Sequence, residues 1–402
     1  MVRPGTLAFT AMLASLSAMS PVATDIYLPS LPAIVAAFGT TPAAVQVTLS
    51  VFMFGYAVAM PVYGPLSDRF GRRPVLLVSL GLFVITSLIA PFSPSINVLI
   101  ALRFVQALGA AGPVILSRSI VRDVFSGPRA VKELSRMGSI AGLVPSLAPT
   151  LGGVLGGLFG WQSSFYLMGV VSAAILAFIA LKMPETVPER MPSISFPAVF
   201  RSFGVCLRSV GFRVYTAICC LCFAGLFAYI SGTSFVLQGH YGLGQVAFGI
   251  AFAATAVSFI VGTLIGARLS ARMGIVRGLG FGTALNAAGG VLILLGSLFG
   301  PGHPLEIIIP MMIYMVGIGI GMPQGTAGAI MPFPERAGAA SSLLGVLQMG
   351  SGALSGILVG HLVGAAVWPF TVVIMACGLA ALGVDLATRR RRLAAPVRSA
   401  GR

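Results

Sequence analysis

The chain has 402 residues, of which 57% are hydrophobic and only 8% are charged, and its mean hydropathy is +1.00. A soluble domain carries about 25% charged residues, so this composition excludes a soluble enzyme or a soluble binding module. Apolar stretches of about 20 residues, the length that crosses a bilayer as a helix, recur along the whole chain. The sequence predicts an all-α membrane protein.

Twelve apolar segments are long enough to be transmembrane helices. They are residues 6–28, 44–65, 74–92, 96–117, 137–159, 162–181, 213–236, 246–267, 278–299, 305–330, 338–361 and 367–387. We do not interpret the first as a cleavable signal, because it is long and leads directly into more membrane-type sequence.

The net charge of +16 is distributed on one side of these segments. With the amino terminus inside, 24 of the 25 lysine and arginine residues fall in loops that face the cytoplasm. The positive-inside rule then predicts a protein of the inner membrane with both termini in the cytoplasm. The same rule explains the positive net charge without a nucleic-acid partner. The run Arg389–Arg392 is interpreted as an anchor near anionic headgroups.

The first segment contains no charged residue from Leu7 to Thr24 and ends in Asp25-Ile26-Tyr27-Leu28-Pro29. One interpretation of Asp25 is a helix end in water, with Pro29 and Pro32 beginning a loop. The other is an ionisable group inside the membrane, which marks an ion or substrate pathway.

The loop after the second segment reads Gly64-Pro65-Leu66-Ser67-Asp68-Arg69-Phe70-Gly71-Arg72-Arg73-Pro74. A basic, topology-determining loop would explain the arginines alone. It would not explain the order of the glycines, the acid and the three arginines. We interpret Gly64, Asp68, Arg69, Gly71, Arg72 and Arg73 as a gating motif, in which Asp68 pairs with a nearby arginine.

Arg103 is the one cation inside a predicted span, at a cost of at least about 2.5–3.5 kcal/mol on insertion scales. We favour an Arg103 that faces inward and has a partner over one whose side chain extends to the headgroups. A purely structural role, in which Arg103 bridges two helices, remains the alternative. Burial opposes ionisation of Asp25, and a nearby Arg103 would favour it. We therefore predict that Asp25 and Arg103 handle a proton together, in one cavity between two bundles that rock.

The fifth segment contains Gly142-Leu143-Val144-Pro145-Ser146-Leu147-Ala148-Pro149-Thr150-Leu151-Gly152-Gly153. Its small residues permit close helix packing, and Pro145 and Pro149 each remove a backbone donor. An ordinary membrane helix interface would show the same spacing.

The chain divides into two halves at a polar, proline-rich connection. The predicted parts are a six-helix bundle over residues 1–182, a cytoplasmic linker over 183–212, a second bundle over 213–388 and a basic tail over 389–402. An internal echo supports the division, because Ser67–Gly71 and Ser270–Gly274 are 203 residues apart and similar. The second copy has Ala271 in place of the acid, so Asp68 would carry the ion pairing alone.

Aromatic and amide residues on these segments could line an apolar substrate pocket. The candidates are Tyr27, Phe52, Tyr56, Gln106, Phe223, Phe227, Tyr229 and Gln348. No catalytic constellation, metal-ligand spacing or phosphate-binding loop is present, so we expect no enzyme, cofactor or metal site.

Four of these motifs resemble the major facilitator superfamily. The loop of Gly64–Pro74 is similar to its signature, Leu102–Gly109 to its helix-four motif, and Gly142–Gly153 to the helix-five motif of drug/proton antiporters, with Ala148 in place of a common glycine. Asp25–Pro29 resembles the helix-one signature of twelve-helix drug exporters of the Bcr/CflA type.

This resemblance implies two pseudo-symmetric six-helix bundles, a monomer, and proton-driven export of amphipathic drugs such as bicyclomycin and chloramphenicol-like compounds. It assigns proton handling to Asp25, and lipid is the other expected partner. A proton-coupled metabolite or amino-acid transporter is the alternative. A channel is not favoured, because the segments lack a continuous polar lining.

Overall fold

A computed structural model describes residues 5–187, 191, 196–362 and 366–394, and within these ranges the chain is helical, without strands. Fourteen α-helices follow one another in these ranges. They are α1 (Leu7–Asp25), α2 (Leu31–Phe38), α3 (Pro42–Phe70), α4 (Arg72–Ile89), α5 (Ile96–Val124), α6 (Gly127–Phe159), α7 (Gln162–Lys182), α8 (Phe196–Arg208), α9 (Val210–Ser234), α10 (Gln245–Met273), α11 (Ile275–Phe299), α12 (Leu305–Ile330), α13 (Ala337–Leu362) and α14 (Trp368–Ala394).

Twelve helical segments of the described chain are long and apolar enough to cross a membrane, which confirms the predicted fold class. Several helices continue beyond the predicted apolar limits. Helix α3 reaches Phe70 rather than residue 65, and α6 begins at Gly127 rather than residue 137. Hydropathy marks the part of a helix that needs hydrocarbon, whereas the backbone hydrogen bonds continue into the polar ends.

The first predicted span is two helices joined by a short turn. Helix α1 ends at Asp25, a 3₁₀ turn covers Leu28–Ser30, and α2 follows directly. The interpretation in which Pro29 and Pro32 begin a loop, one of the two left open for Asp25, was wrong. Both prolines occupy the first turn of a helical element, where a missing N–H costs nothing because that donor has no helical partner.

The linker and the tail both contain helix that the sequence analysis did not anticipate. Helix α8 lies within the predicted linker, and α14 continues to Ala394. Two arginines of the predicted anchor also have a partner within the protein, because Arg389 and Arg392 both pair with the buried Asp385, at 2.5 and 2.6 Å; the anchor itself remains a prediction. A buried carboxylate is costly unless a cation pairs with it, which explains these two contacts.

Contacts divide the chain into two compact units. The first comprises residues 1–199, 230–254 and 356–365, and the second comprises 200–229, 255–355 and 366–402. Within the first unit, α5 packs against α3 and α4, and α1 packs against α6. Within the second, α11 packs against α12 and α14. The division into residues 1–182 and 213–388 remains a prediction.

Candidate functional site

Asp25 is the last residue of α1 and is 5% exposed. Its Oδ1 accepts a hydrogen bond from the Thr24 hydroxyl at 2.9 Å. Among the described residues, no lysine, arginine or histidine nitrogen lies within 4.0 Å of the carboxylate. Asp25 is therefore a buried acid without an ion-pair partner, and not a helix end in bulk water.

Arg103 on α5 is fully buried and is held by neutral groups. Its Nη1 donates to Gln106 Oε1 at 2.6 Å, and its Nη2 donates to the Ala23 carbonyl at 3.0 Å. The guanidinium carbon lies 4.5 Å from the centre of the Tyr27 ring and 4.4 Å from that of Phe52. Aromatic faces attract a cation through their quadrupole, most strongly where water is absent.

Asp25 and Arg103 do not form an ion pair in the part of the chain that the structure describes. Arg103 instead contacts Ala23 and Tyr27, which lie two residues before and two residues after Asp25. It therefore fixes the end of α1 on both sides of the acid. The structure brings the two predicted proton-handling residues to the same helix end, but it connects them through backbone and ring contacts.

Three further side chains complete this cluster and were absent from the sequence analysis. Gln106 Nε2 donates to Ser87 Oγ at 2.7 Å, and the Tyr27 and Thr48 hydroxyls share a hydrogen bond of 2.9 Å. The ring of Phe165 lies 5.9 Å from the Arg103 guanidinium. The spacing of Thr48 and Phe52, one helical turn apart, was a usable signal for Thr48. Nothing in the sequence indicated Ser87 or Phe165, because their positions depend on tertiary packing.

The turn after Asp25 exposes backbone carbonyls that a continuous helix would pair. Ser164 donates to the Ile26 carbonyl at 3.3 Å, Ser234 to that of Leu28 at 2.7 Å, and Gln238 to that of Pro29 at 3.0 Å. All of these residues belong to the first unit. The break therefore has its polar groups satisfied by side chains from α7, α9 and the turn that follows α9.

The glycines of the fifth-segment motif differ in what they approach. A Cβ at Gly152 would overlap the Ile26 carbonyl, and one at Gly153 would overlap the backbone of Gln245. Gly142 has open space around it. Pro145 and Pro149 lie inside α6, which continues through both. The motif thus brings α6 against the turn that follows Asp25.

The predicted gating loop forms an ion cluster around the buried Arg72. Arg72 at the start of α4 contacts Asp68 at 2.5 Å and Asp123 at 2.8 Å, and its backbone N–H donates to Glu185 at 2.8 Å. Gly71 has a φ of +101°, a conformation that favours glycine. The expectation that Asp68 carries the pairing alone needs revision, because Asp123 and Glu185 take part as well.

The remaining residues of the loop have minor contacts. Arg73 donates to the Ala180 carbonyl at 2.6 Å, the Arg69 guanidinium lies 5.1 Å from the Phe70 ring, and Gly64 has open space. The cluster consequently ties the carboxyl ends of α3 and α5 and the amino end of α4 to the segment after α7.

The eight predicted pocket residues divide between the two units. Tyr27, Phe52 and Gln106 surround Arg103, while Tyr56 lies one turn further along α3. In the second unit, Phe223 and Phe227 stack with their ring centres 6.2 Å apart, and Tyr229 and Gln348 are buried. Their role in binding remains a prediction.

A separate apolar cavity of about 410 Å³ opens to the surface of the first unit, since Leu143, Leu147 and Leu151 on its wall are exposed. Its other walls come from α1, α4 and α7, and Val22 and Ile26 line it on either side of Asp25. None of the eight predicted pocket residues lines it. Its volume falls within the range of small-molecule sites.

Residues 8–356 match the sequence profile of the Major Facilitator Superfamily. The match extends over far more than half of the chain, and the chain belongs to this family of membrane transporters.

Relatives and solved structures agree with this assignment. The chain is 32% identical to the uncharacterized MFS-type transporter YdgK of Bacillus subtilis, with 88% of this chain and 89% of that protein covered. It is 31% identical to the bicyclomycin resistance protein homolog of Haemophilus influenzae, with 88% and 89% covered. A solved POT family transporter in complex with a thioalcohol conjugated peptide has a TM-score of 0.76 at 14% identity, with 96% of each chain covered, and shows the fold alone.

Proposed function

We propose that this transporter exports small amphipathic drugs in exchange for protons. The observation that carries the proposal is the environment of Asp25, a 5% exposed carboxylate that, among the described residues, has a single hydroxyl donor and no cation within 4.0 Å. A buried acid without a partner is costly when ionised, and in a membrane segment such a group marks an ion or substrate pathway. The similarity to a bicyclomycin resistance protein homolog supports a drug as the substrate.

Proton coupling follows from the cost of burying the Asp25 charge. In a dry environment the neutral acid is favoured, and contact with water on one side of the membrane allows it to ionise. The apolar cavity beside Val22 and Ile26 offers an amphipathic molecule a place next to the same helix end. Antiport requires that the drug and the proton use this region in turn, in different states of the transporter.

Arg103 has a positioning role in this scheme. Arg103 contacts Ala23 and Tyr27 rather than the carboxylate. A change in the charge of Asp25 would therefore affect Arg103 by moving the end of α1. The turn after Asp25 accepts hydrogen bonds from Ser234 and Gln238, so the same movement would strain those bonds.

Alternating access requires the inner ends of the helices to separate in one state and to close in the other. The contacts of Arg72 with Asp68, Asp123 and Glu185 would stabilise one of these two states. Breaking several charge-assisted contacts together gives a switch with two discrete positions rather than a gradual opening.

The test is Asp25→Asn in proteoliposomes with an imposed pH gradient and with bicyclomycin and chloramphenicol as probes. We expect the variant to lose gradient-driven accumulation while it still exchanges drug across the membrane without a gradient, because the amide cannot release a proton. Glu306→Gln is the control, since Glu306 is an acid at the start of α12, far along the chain from the first unit's site.

Unchanged gradient-driven transport in Asp25→Asn would refute the coupling role. If neither drug is carried by the wild-type protein but a metabolite or amino acid is, the alternative function of the same fold replaces drug export.

A further inference from the structure

Helix α8 has an apolar edge that the described chain leaves uncovered. Phe200 is 61% exposed, Leu207 is 44% exposed and Phe196 is 37% exposed. These residues stand at i, i+4 and i+11, which places them along one side of the helix. The helix has 13 residues, so it is about 20 Å long and too short to span a bilayer.

The neighbouring edge of the same helix packs against the protein. Phe203 and Cys206 are buried, and the rings of Phe200 and Phe203 contact each other with centres 5.9 Å apart. The helix is therefore held in place on one edge while the adjoining apolar edge remains open. An exposed row of large apolar side chains beside a packed face indicates an interaction surface.

The charge on α8 and its surroundings has one sign. From Met191 to Arg213 the sequence contains arginines and no acid. Arg201 and Arg208 are both exposed, and their spacing of seven residues places them on one side of the helix. That side is turned by roughly 100° from the apolar row. A helix with one apolar side and arginines beside it matches an anionic lipid surface.

The position of α8 in the chain favours lipid over a soluble partner. Ser209 alone separates Arg208 from α9, a helix long and apolar enough to cross the membrane. The carboxyl end of α8 therefore lies where a membrane-crossing helix begins. A soluble protein could reach this edge only by displacing headgroups.

We propose that α8 lies in the headgroup layer of the cytoplasmic leaflet and binds anionic lipid. Phe196, Phe200 and Leu207 enter the boundary with the acyl chains, while Arg201 and Arg208 contact lipid phosphates. The proposal depends on the cytoplasmic placement of this connection and is independent of which substrate the transporter carries.

The test places a tryptophan on each side of α8 in the full-length chain, reconstituted in vesicles with lipids that carry a quencher just below the headgroup. The two variants are Phe200→Trp and the matched control Ala198→Trp. Ala198 is also exposed and lies about 160° around the helix from Phe200. The chain has two native tryptophans, and the emission of the parent protein supplies the baseline to subtract.

We expect the tryptophan at position 200 to be quenched several-fold more than that at position 198. Adding phosphatidylglycerol to phosphatidylcholine vesicles should increase the quenching at position 200. The double substitution Arg201→Gln and Arg208→Gln should remove that increase, while Arg268→Gln with Arg272→Gln, in another arginine-containing segment, should retain it.

Equal quenching at positions 198 and 200 would overturn membrane docking. Docking would also be overturned if neither the lipid quencher nor a water-soluble quencher reached the tryptophan at position 200, because a protein surface would then cover it. No response to phosphatidylglycerol would overturn the binding of anionic lipid. Drug transport measured in the same vesicles reports on the proposed function separately.

Discussion

At the scale of single residues, Asp25 and Arg103 are both buried in the first unit but are stabilised by different means. Arg103 has aromatic faces and two neutral acceptors around it. Asp25 has one hydroxyl donor. A cation with such an environment can remain charged, whereas a carboxylate with a single donor gains little from ionising in place. This asymmetry makes Asp25, rather than Arg103, the group suited to exchange a proton.

Gln106 is the residue whose loss should weaken this cluster most clearly. Gln106→Ala removes the acceptor of Arg103 Nη1 and the donor to Ser87, and we expect it to cost about 1–3 kcal/mol because a buried charged donor loses its partner. Denaturant titration in micelles measures the loss in unfolding free energy.

The control for this measurement is Gln324→Ala. Gln324 is buried as well, but its amide donates to a neutral backbone carbonyl, that of Gly266. A smaller loss is expected there, about 0.5–1.5 kcal/mol. Equal losses in the two variants would contradict the assigned role of Gln106.

The gating cluster allows a comparison of two acids that contact the same arginine. The side chain of Asp123 is 14% exposed and that of Asp68 is 37% exposed. We expect Asp123→Asn to destabilise the protein more than Asp68→Asn, because water screens the more exposed pair. Thermal unfolding of both variants in the same detergent checks this order, and the reverse order would argue against it.

At the scale of helices, the sequence predicted where helices exist better than where they bend or end. Apolar length was enough to locate all twelve predicted spans. It did not predict the break between α1 and α2, because Pro29 and Pro32 suit a loop and a first helical turn equally well. Apolar length also did not predict α8. The polar, proline-rich part of this connection indicated a linker, whereas the spacing of Phe196, Phe200 and Phe203 indicates a helix.

The candidate site was predictable where chemistry alone marks a residue. Asp25 and Arg103 stand out because charge is rare in an apolar helix. Their neighbours do not stand out, since serine and phenylalanine are ordinary in membrane helices. The absence of an ion pair between Asp25 and Arg103 in the described chain could not be foreseen, because spacing in sequence gives depth along a helix but not the direction of a side chain.

The contact between α6 and the turn after α1 gives a test with a built-in control. We expect Gly152→Leu to abolish transport and lower thermal stability, because its side chain would overlap the Ile26 carbonyl. Gly142→Leu should have little effect, since nothing lies within 4 Å of a Cβ there. Both properties can be measured on purified protein in the same detergent, and a tolerated Gly152→Leu would contradict the described packing.

At the scale of the whole molecule, the distribution of arginine and lysine predicts the orientation in the membrane. A cysteine replacing Pro301 should react with an impermeant maleimide added to intact cells, whereas one replacing Arg129 should react only after the cells are opened. Both positions are exposed. The reverse pattern would invert the proposed topology.

The native cysteines interfere little with this labelling. All five are free, and none is exposed. Burial raises the pKa of the Cys206 thiol, so at neutral pH it stays protonated and reacts slowly. The unsubstituted protein gives the remaining background.

The contacts of Arg72 also affect how the chain resists mechanical force. One guanidinium and its backbone N–H connect the ends of α3 and α5 and the residues that follow α7. A cantilever that pulls the amino terminus out of the bilayer should therefore meet added resistance at this point, and α3, α4 and α5 should come out together more often than hairpin by hairpin.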